Sequence, residues 1–462
     1  MNEIVMKISH KLDYISKMRY FNQIYPFLLA VVSVIGWRYQ MYVGMGVLIV
    51  IGILATLFLK DVKFAIPSIM YLIFNISSGF SNSKVPIFFI IEIVVFILFL
   101  IIYSIINGYK LKKMKSLYGL IGFAVMNFLP IFWCHTIPAD GKMLYCLFFM
   151  NFVYLIIYMV LVNTIKSDSI NLLATTISYL ALIMALECAF MVYDLKDTTD
   201  NILNLWYYMG WGLCNEAGIM ICFSIPFIFY LMAKSDSIAG IFLENIKVLV
   251  AVIGIILTTS RGTYLIGFTE IAVLYIVLLF VAKRIKVYQN FFLGLSLVGI
   301  CILIIFKNYT IEFINSVLDN VFSFGFNDTG RSGLWSEAID IFTDNPLNII
   351  LGAGYNATIR ELQTAAGIQL GPQVYHSTIL QTAVMGGIFG LLILIYHLAC
   401  KYINLCKCEK VFFLIIGIGF IFVDIYGLID NTYYMYYFMI PLMVVLASID
   451  SSLYYKNDDI KE

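Results

Sequence analysis

The chain has 462 residues, of which 62% are apolar and only 12% are charged. A soluble domain of this length does not keep such a balance, so the composition excludes soluble enzymes and soluble binding modules. The formal net charge of +1 identifies no class of partner, and we expect no nucleic acid among the partners.

Fourteen apolar stretches are long enough, or nearly so, to cross a bilayer as α-helices. They lie at residues 21–37, 40–59, 64–80, 86–107, 117–134, 143–164, 170–192, 209–232, 246–259, 262–282, 289–308, 377–398, 411–428 and 431–449. The connections are mostly short. The sequence therefore predicts a single transmembrane domain over 1–462, an all-α, polytopic α-helical integral membrane protein with about 12–14 transmembrane helices. No small-residue cleavage site follows the first span, so we expect no cleavable signal peptide.

Basic residues are unequally divided between the two sides of these spans. If the N-terminus is cytoplasmic, 21 of the 29 Lys and Arg residues fall on the cytoplasmic side. This asymmetry obeys the positive-inside rule and predicts that the N- and C-termini are cytoplasmic. The long connection between the eleventh and twelfth spans then faces outward.

That connection, residues 309–376, is the one long polar stretch of the chain. Apolar residues recur at helical spacing over 334–342, which predicts a short helix with Ser332 as N-cap and Pro346 as its stop. A second short helix is predicted over 357–366. Because Arg, Gly and Trp concentrate here, we expect this extracytoplasmic loop to form part of an active site.

Two arginines are the strongest candidates for binding an anion. Arg261 lies where one span ends and the next begins, and Arg331 precedes the first loop helix beside Gly330 and Gly333. Helix N-termini and guanidinium groups both attract phosphate. The alternatives are an interfacial Arg261 that reaches lipid headgroups or pairs with a carboxylate, and a solvated Arg331.

His376 begins the twelfth predicted span. The helix dipole there disfavours the imidazolium, which would leave a neutral ring able to accept a proton. The alternative is an interfacial histidine hydrogen-bonded to backbone. Gly386, Gly387 and Gly390 follow on the same span, and we interpret them as positions of close helix packing rather than ligand binding.

Two further residues are weaker candidates. Arg360 lies in the second predicted loop helix, next to Glu361, where a surface position is the competing interpretation. Asn215 begins the polar segment Asn215-Glu216-Ala217-Gly218 of the eighth span, whose amide and small residues could face a cavity.

Arginines and a histidine on one face of a membrane suit a diphosphate leaving group and an attacking hydroxyl that needs a base. The outward carboxylates contain no Asp-x-Asp pair, and the nine cysteines show neither zinc-site spacing nor a disulfide framework. We therefore expect no metal and no cofactor, with arginine balancing the charge of the leaving group.

These segments resemble the O-antigen ligase and Wzy polymerase superfamily of bacterial membrane glycosyltransferases. The matching residues are Ser260-Arg261-Gly262, Gly330-Arg331 to Trp335, Asp344-Asn345-Pro346-Leu347 with Gly352 and Gly354, His376 followed by Gly386-Gly387, and Asn215 with Ala217. They cover about the C-terminal half of the chain. The fourteen predicted spans exceed the twelve associated with the ligases, which is a departure from the family pattern.

The resemblance implies a multi-pass enzyme of the bacterial cytoplasmic (inner) membrane that makes capsule, lipopolysaccharide or another surface polysaccharide. Its partners would be an undecaprenyl-diphosphate-linked oligosaccharide, membrane lipid and a chain-length regulator. Arg261 and Arg331 would hold the diphosphate, and His376 would deprotonate the acceptor hydroxyl, without metal or nucleotide sugar.

Three functions stay open at this point. A polymerase transfers the glycan to another lipid-linked repeat unit, whereas a ligase transfers it to lipid A core or another acceptor. We favour the polymerase because the sequence contains no module for binding a core or a protein. A flippase for lipid-linked oligosaccharides would also need many spans and buried acids. Such acids occur in or near spans at Glu92, Glu187, Glu216, Glu270 and Asp424.

Overall fold

A computed structural model describes residues 21–39, 42–72, 87–107, 112, 114–129, 141–195, 214–288, 331–354, 359–364, 367–372 and 375–458. Almost all of these residues are helical. The fold class is therefore all-α, as predicted, and the chain is a polytopic membrane protein.

The first part of the chain is a series of apolar helices joined by short connections. They are α1 (Phe21–Arg38), α2 (Tyr42–Leu59), α3 (Val62–Leu72, beginning as a 3₁₀ turn), α4 (Ile87–Ile106), α5 (Lys115–Phe128), α6 (Gly141–Thr164), α7 (Ile170–Leu195), α8 (Cys214–Lys234), α9 (Ile238–Leu257) and α10 (Arg261–Val281).

The second part contains the described portion of the long loop and three further long helices. The elements are α11 (Arg331–Thr343), α12 (Pro346–Leu351), β1 (Ile359–Thr364), β2 (Gly367–Pro372), α13 (Thr378–Leu405), α14 (Lys410–Tyr426), a 3₁₀ turn (Thr432–Tyr434) and α15 (Tyr436–Asp458).

Six of the described helices are long and apolar enough to cross a membrane, namely α7, α8, α9, α10, α13 and α15. Every other predicted span coincides at least in part with a further apolar helix, except 289–308, which lies outside the described residues. Helix α8 is central, since 89% of its apolar window is buried, against 39% in α9 and in α10. The two outer helices thus leave apolar surface for lipid.

The predicted span 246–259 begins too late. Helix α9 starts eight residues earlier, at Ile238, after Ser237 accepts the Gly240 N–H as an N-cap. Polar residues stay inside the helix because they have partners: Asn245 donates to Ile241 O at 2.8 Å, and Lys247 contacts Glu244 at 3.0 Å. A helix predicted from apolar periodicity alone is therefore cut short at such polar residues.

The predicted second loop helix over 357–366 is wrong. Residues 359–364 form strand β1, which pairs antiparallel with β2 so that Arg360 lies opposite Gly371 and Thr364 opposite Gly367. Pairing with the neighbouring strand overrides the helix propensity of the alanines at either end. The described part of the loop therefore combines two short helices with one hairpin.

One cluster of polar groups inside the bundle is fully paired. The ammonium of Lys401, which is 1% exposed, lies 2.8 and 2.7 Å from the two carboxylate oxygens of Asp424. The hydroxyls of Tyr402 and Tyr433 donate to the same carboxylate. Asp424 is thus part of an ion pair inside the bundle.

Candidate functional site

Arg261 is the first residue of α10, only four residues after the last residue of α9. The reversal depends on Thr259, whose φ is 53°, and on Ser260, whose hydroxyl accepts the Thr263 N–H at 3.3 Å as an N-cap. The guanidinium therefore extends from a helix N-terminus, where the helix dipole favours an anion. Arg261 as a whole is half-buried.

A hydrogen-bonded cluster supports this turn. The Ser260 hydroxyl donates to Asn215 Oδ1 at 2.6 Å, and the Tyr426 hydroxyl lies 3.3 Å from Ser260 Oγ and 3.0 Å from Thr263 Oγ1. Tyr426 also donates to the backbone carbonyl of Asn215 at 3.4 Å. Asn215 therefore lies beside the Arg261 turn, where its side chain oxygen already accepts a hydrogen bond.

Close backbone packing brings these helices together. A Cβ at Gly262 would lie 3.3 Å from the Tyr426 hydroxyl, and one at Gly218 would overlap the Thr263 side chain. The Arg-Gly pair and the small residue on α8 thus allow α8, α10 and α14 to meet at the turn.

His376 lies two residues before α13 in a left-handed conformation, with a φ of 48°. Its Nδ1 is 3.3 Å from Oδ1 of Asp430, a carboxylate that is only 2% exposed, whereas the imidazole is 24% exposed. If Nδ1 carries the hydrogen donated to Asp430, Nε2 keeps a lone pair that can accept a proton. This arrangement suits a general base.

The residues on either side of His376 are held by one turn. Ser377 donates its N–H to Asn431 Oδ1 at 2.8 Å, and Asn431 Nδ2 donates to Gln381 Oε1 at 2.7 Å. The same Gln381 oxygen accepts the Tyr375 N–H at 3.2 Å. The backbone around the imidazole is therefore fixed to the segment that carries Asp430.

Arg331 is the first described residue of α11 and is half-buried. One turn further, Trp335 donates its indole N–H to the carbonyl of Tyr375 at 2.9 Å, directly before His376. Ala338 of the same helix forms a small core with Tyr375 and Val384. Helix α11 is thus attached to the start of α13. Ser332, predicted as its N-cap, lies instead within its first turn.

The Asp-Asn-Pro segment starts a helix. Thr343 ends α11, Asn345 Oδ1 accepts the Asn348 N–H at 2.9 Å as the N-cap of α12, and Pro346 occupies the first turn. The prediction that Pro346 stops the preceding helix missed this second role, which suits a proline because the first helical N–H needs no partner. Asn348 Nδ2 also donates to Ile341 O, joining the two helices.

Glycines join α12 to α13. Gly352 has a φ of 80°, and a Cβ there would overlap the backbone of Met385 and Gly386. Gly387 has a φ of 60° and kinks α13, and its Cβ would lie 2.6 Å from the Gly352 nitrogen. Ala353 donates to Val384 O at 2.8 Å across this contact. The interpretation of the α13 glycines as packing positions is confirmed.

The segments that carry Arg261 and His376 both contact the C-terminal end of α14. Tyr426 contacts the Arg261 turn, and its carbonyl accepts the N–H of Asp430, which contacts His376. Arg331 is related to His376 through Trp335 and Tyr375. Arg360 lies on β1, at a distance along the loop from these contacts, and its side chain lies outside the described residues.

The site residues predicted from the sequence do not include three supporting residues, namely Tyr426, Asp430 and Asn431. Asp430 lies between two predicted spans and Asn431 begins the second of them, on the same predicted side as His376, so their position was an available signal. Tyr426 gave none, because one tyrosine among 32 is not distinctive. In the part of the chain that the structure describes, no group of three or more His, Cys, Asp or Glu residues could hold a metal ion.

Comparison with known proteins identifies the central part of the chain. No curated protein matches it. A family model described as Wzy_C, O-antigen ligase, matches residues 246–395, a range that includes Arg261, Arg331 and His376 but neither Asn215 nor Asp430. Members of this family transfer lipid-linked glycans. The resemblance seen in the sequence is thereby confirmed: this membrane protein carries a Wzy_C O-antigen ligase domain over residues 246–395.

Proposed function

We propose that the chain is a surface-polysaccharide polymerase of the bacterial cytoplasmic membrane. It transfers an undecaprenyl-diphosphate-linked glycan to the hydroxyl of an acceptor sugar on the outer face. The observation that carries this proposal is the contact of His376 Nδ1 with the buried carboxylate of Asp430, which leaves Nε2 available as a base.

The reaction requires one base and a stabilised leaving group. His376 Nε2 takes the proton of the acceptor hydroxyl while the oxygen attacks the anomeric carbon of the donor glycan. The bond between that carbon and the diphosphate oxygen breaks, and undecaprenyl diphosphate leaves with its negative charge. Asp430 orients the ring and stabilises the imidazolium that forms.

Arg261 and Arg331 bind the diphosphate in this proposal. Arg261 begins α10, where the helix dipole adds to its positive charge, and Arg331 is the first described residue of α11. Both belong to elements joined to the His376 segment by the contacts of Tyr426 and Trp335. Guanidinium groups then replace a divalent cation, and transfer proceeds without metal. Arg360 is a further candidate for the diphosphate, and Asn215 positions the Arg261 turn.

The orientation follows from the charge distribution. With the N- and C-termini in the cytoplasm, most Lys and Arg residues face inward and His376 faces outward, where undecaprenyl-linked glycans are presented after translocation. A chain-length regulator is the expected protein partner of a polymerase.

Purified protein and its lipid-linked donor distinguish the candidate functions. A polymerase lengthens the glycan when donor is the only substrate, whereas a ligase needs an added acceptor such as lipid A core. A flippase moves labelled lipid across a proteoliposome without any growth in chain length. In cells, deletion of the gene leaves single repeat units if the protein is a polymerase and long chains on the carrier lipid if it is a ligase.

A further inference from the structure

A cavity of about 490 Å³ lies at the other end of α14 from the His376 site. Glu409 and Phe412, at the start of α14, line it, whereas Asp430 follows the end of that helix. Helix α14 has 17 residues and is about 25 Å long. The cavity is therefore separate from the proposed active site.

Two lysines line this cavity. Lys166 and Lys407 both line it and are exposed. Among the described residues neither forms a salt bridge, and the Lys166 ammonium contacts only the neutral Asn107 Oδ1, at 3.1 Å. Both ammonium groups keep donors for an anion.

The two acids of the lining are already engaged. Glu409 binds Lys234 at 2.8 and 2.9 Å through its two oxygens. Asp168 accepts the Ile170 N–H at 3.0 Å and the Ser452 hydroxyl at 3.3 Å. The charge of Glu409 is therefore balanced by Lys234, whereas Asp168 accepts only neutral donors and keeps its negative charge. Lys166, Lys407 and Lys234 set against Asp168 and Glu409 leave one positive charge in excess.

Tyr230 supplies a further polar group to the lining. It lines the cavity and is only 3% exposed, with its ring held edge-to-face against Phe412 at 5.1 Å between centroids. Within the described part of the chain its hydroxyl makes no hydrogen bond. The hydroxyl is therefore available to donate to an acceptor inside the cavity.

We propose that this cavity binds a phosphate group, with the Tyr230 hydroxyl and the ammonium groups of Lys166 and Lys407 as donors. In the proposed orientation this end of the bundle faces the cytoplasmic leaflet, where anionic phospholipid headgroups are abundant. Apolar residues of the lining, Ile170 and Leu453, suit the glycerol and first acyl carbons of such a lipid. A free phosphate ion has the same headgroup chemistry and is the other source.

Lipid binding to the full-length protein tests the proposal. Delipidated protein in neutral detergent is titrated with phosphatidylglycerol, phosphatidylcholine or inorganic phosphate. Native mass spectrometry counts bound lipid, and the thermal unfolding midpoint reports the stabilisation. We expect phosphatidylglycerol to bind and to raise the midpoint, and phosphatidylcholine to do so much less. An equal response to inorganic phosphate would assign the site to the free ion.

Three variants and one control make the test specific. Tyr230→Phe keeps the ring contact with Phe412 and should weaken phosphatidylglycerol binding about tenfold, because a hydrogen bond to a charged group is lost. Lys166→Gln and Lys407→Gln should each weaken it by a similar factor. Lys286→Gln removes an exposed charge that does not line the cavity and should bind as the parent does.

Two outcomes overturn the proposal. One is parent protein that responds equally to phosphatidylglycerol, phosphatidylcholine and buffer alone. The other is a set of variants that fold, as judged by their lipid-free midpoints, and still bind phosphatidylglycerol with parental affinity.

Discussion

The carboxylate of Asp430 lies 3.3 Å from Nδ1 of His376, although 54 positions separate the two residues in the chain. Asp430 is almost fully buried, and its backbone N–H donates to the carbonyl of Tyr426 at the end of α14. The end of α14 therefore fixes the position of the carboxylate, and the carboxylate in turn orients the imidazole ring.

Replacing Asp430 should slow glycan transfer but leave the amount of protein in the membrane unchanged. Asp430→Asn keeps the size of the side chain but can donate to Nδ1, which favours the tautomer with its hydrogen on Nε2. We expect a loss of roughly a hundredfold to ten-thousandfold in kcat, with a smaller change in KM. Initial rates of glycan transfer by purified variants measure both.

His376→Gln should abolish transfer and make a further Asp430→Asn change nearly silent, because both residues act through one proton transfer. If the two substitutions instead lower the rate independently, Asp430 does not act through the imidazole. Normal glycan lengths from cells that carry His376→Gln would show that His376 is not the general base.

Arg261→Lys should impair transfer almost as strongly as Arg261→Ala. Lysine keeps the charge but loses the planar fork that binds a diphosphate through two parallel hydrogen bonds. We expect a loss in kcat/KM of about tenfold to a thousandfold, corresponding to roughly 1.5–4 kcal/mol. Transfer rates over a range of donor concentrations measure it.

Arg331→Ala should behave in the same way if both arginines bind the diphosphate. The matched control is Arg284→Gln, which removes an exposed arginine from the connection after α10. Full activity of Arg261→Lys would show that a point charge is sufficient at this position.

The turn that carries Arg261 should depend on Tyr426. Tyr426→Phe removes the hydroxyl that contacts Ser260, Thr263 and the Asn215 carbonyl, while the buried ring stays. We expect about 1–2 kcal/mol less stability and a fall in kcat/KM, because buried partners lose a hydrogen bond and the turn loosens. Thermal unfolding and transfer rates measure the two effects.

Asn215 and Ser260 allow a sharper form of this test. Asn215→Ala and Ser260→Ala each break the same 2.6 Å hydrogen bond, so the double variant should cost less than the sum of the single ones. Additive losses would indicate that Asn215 contacts the substrate directly instead of supporting the turn.

Much of this site is visible in the sequence because charge is scarce within spans. Arg261 and His376 stand out as polar residues at predicted span ends, and Arg331 stands out before the first predicted loop helix. The Gly-Gly step of α13 stands out as a packing position. The periodicity of apolar residues also places α11, since one face of that helix must be covered.

Other parts depend on contacts that no local pattern encodes. The hairpin forms because β1 pairs with β2, whereas the residues of β1 taken alone are compatible with a helix. Pro346 fits both the end of one helix and the start of another, and only the Asn345 cap decides between them. Tyr426 matters through neighbours that are 163 and 166 positions away.

Gly352 should tolerate no side chain. Its φ of 80° disfavours every L residue, and a Cβ would overlap the backbone of Met385 and Gly386, which cannot move as the end of a flexible side chain can. We therefore expect Gly352→Ala to destabilise the protein by about 3 kcal/mol or more, through strain and overpacking together. Thermal unfolding in detergent measures the loss, and transfer should fall with it because α12 would separate from the kink of α13. Gly333→Ala is the matched control on the neighbouring helix α11, where no atom lies within 4 Å of the added carbon. That variant should be neutral or slightly stabilising, since alanine favours a helix more than glycine does. Equal unfolding midpoints for the two variants would mean that the contact between Gly352 and α13 contributes nothing to the fold.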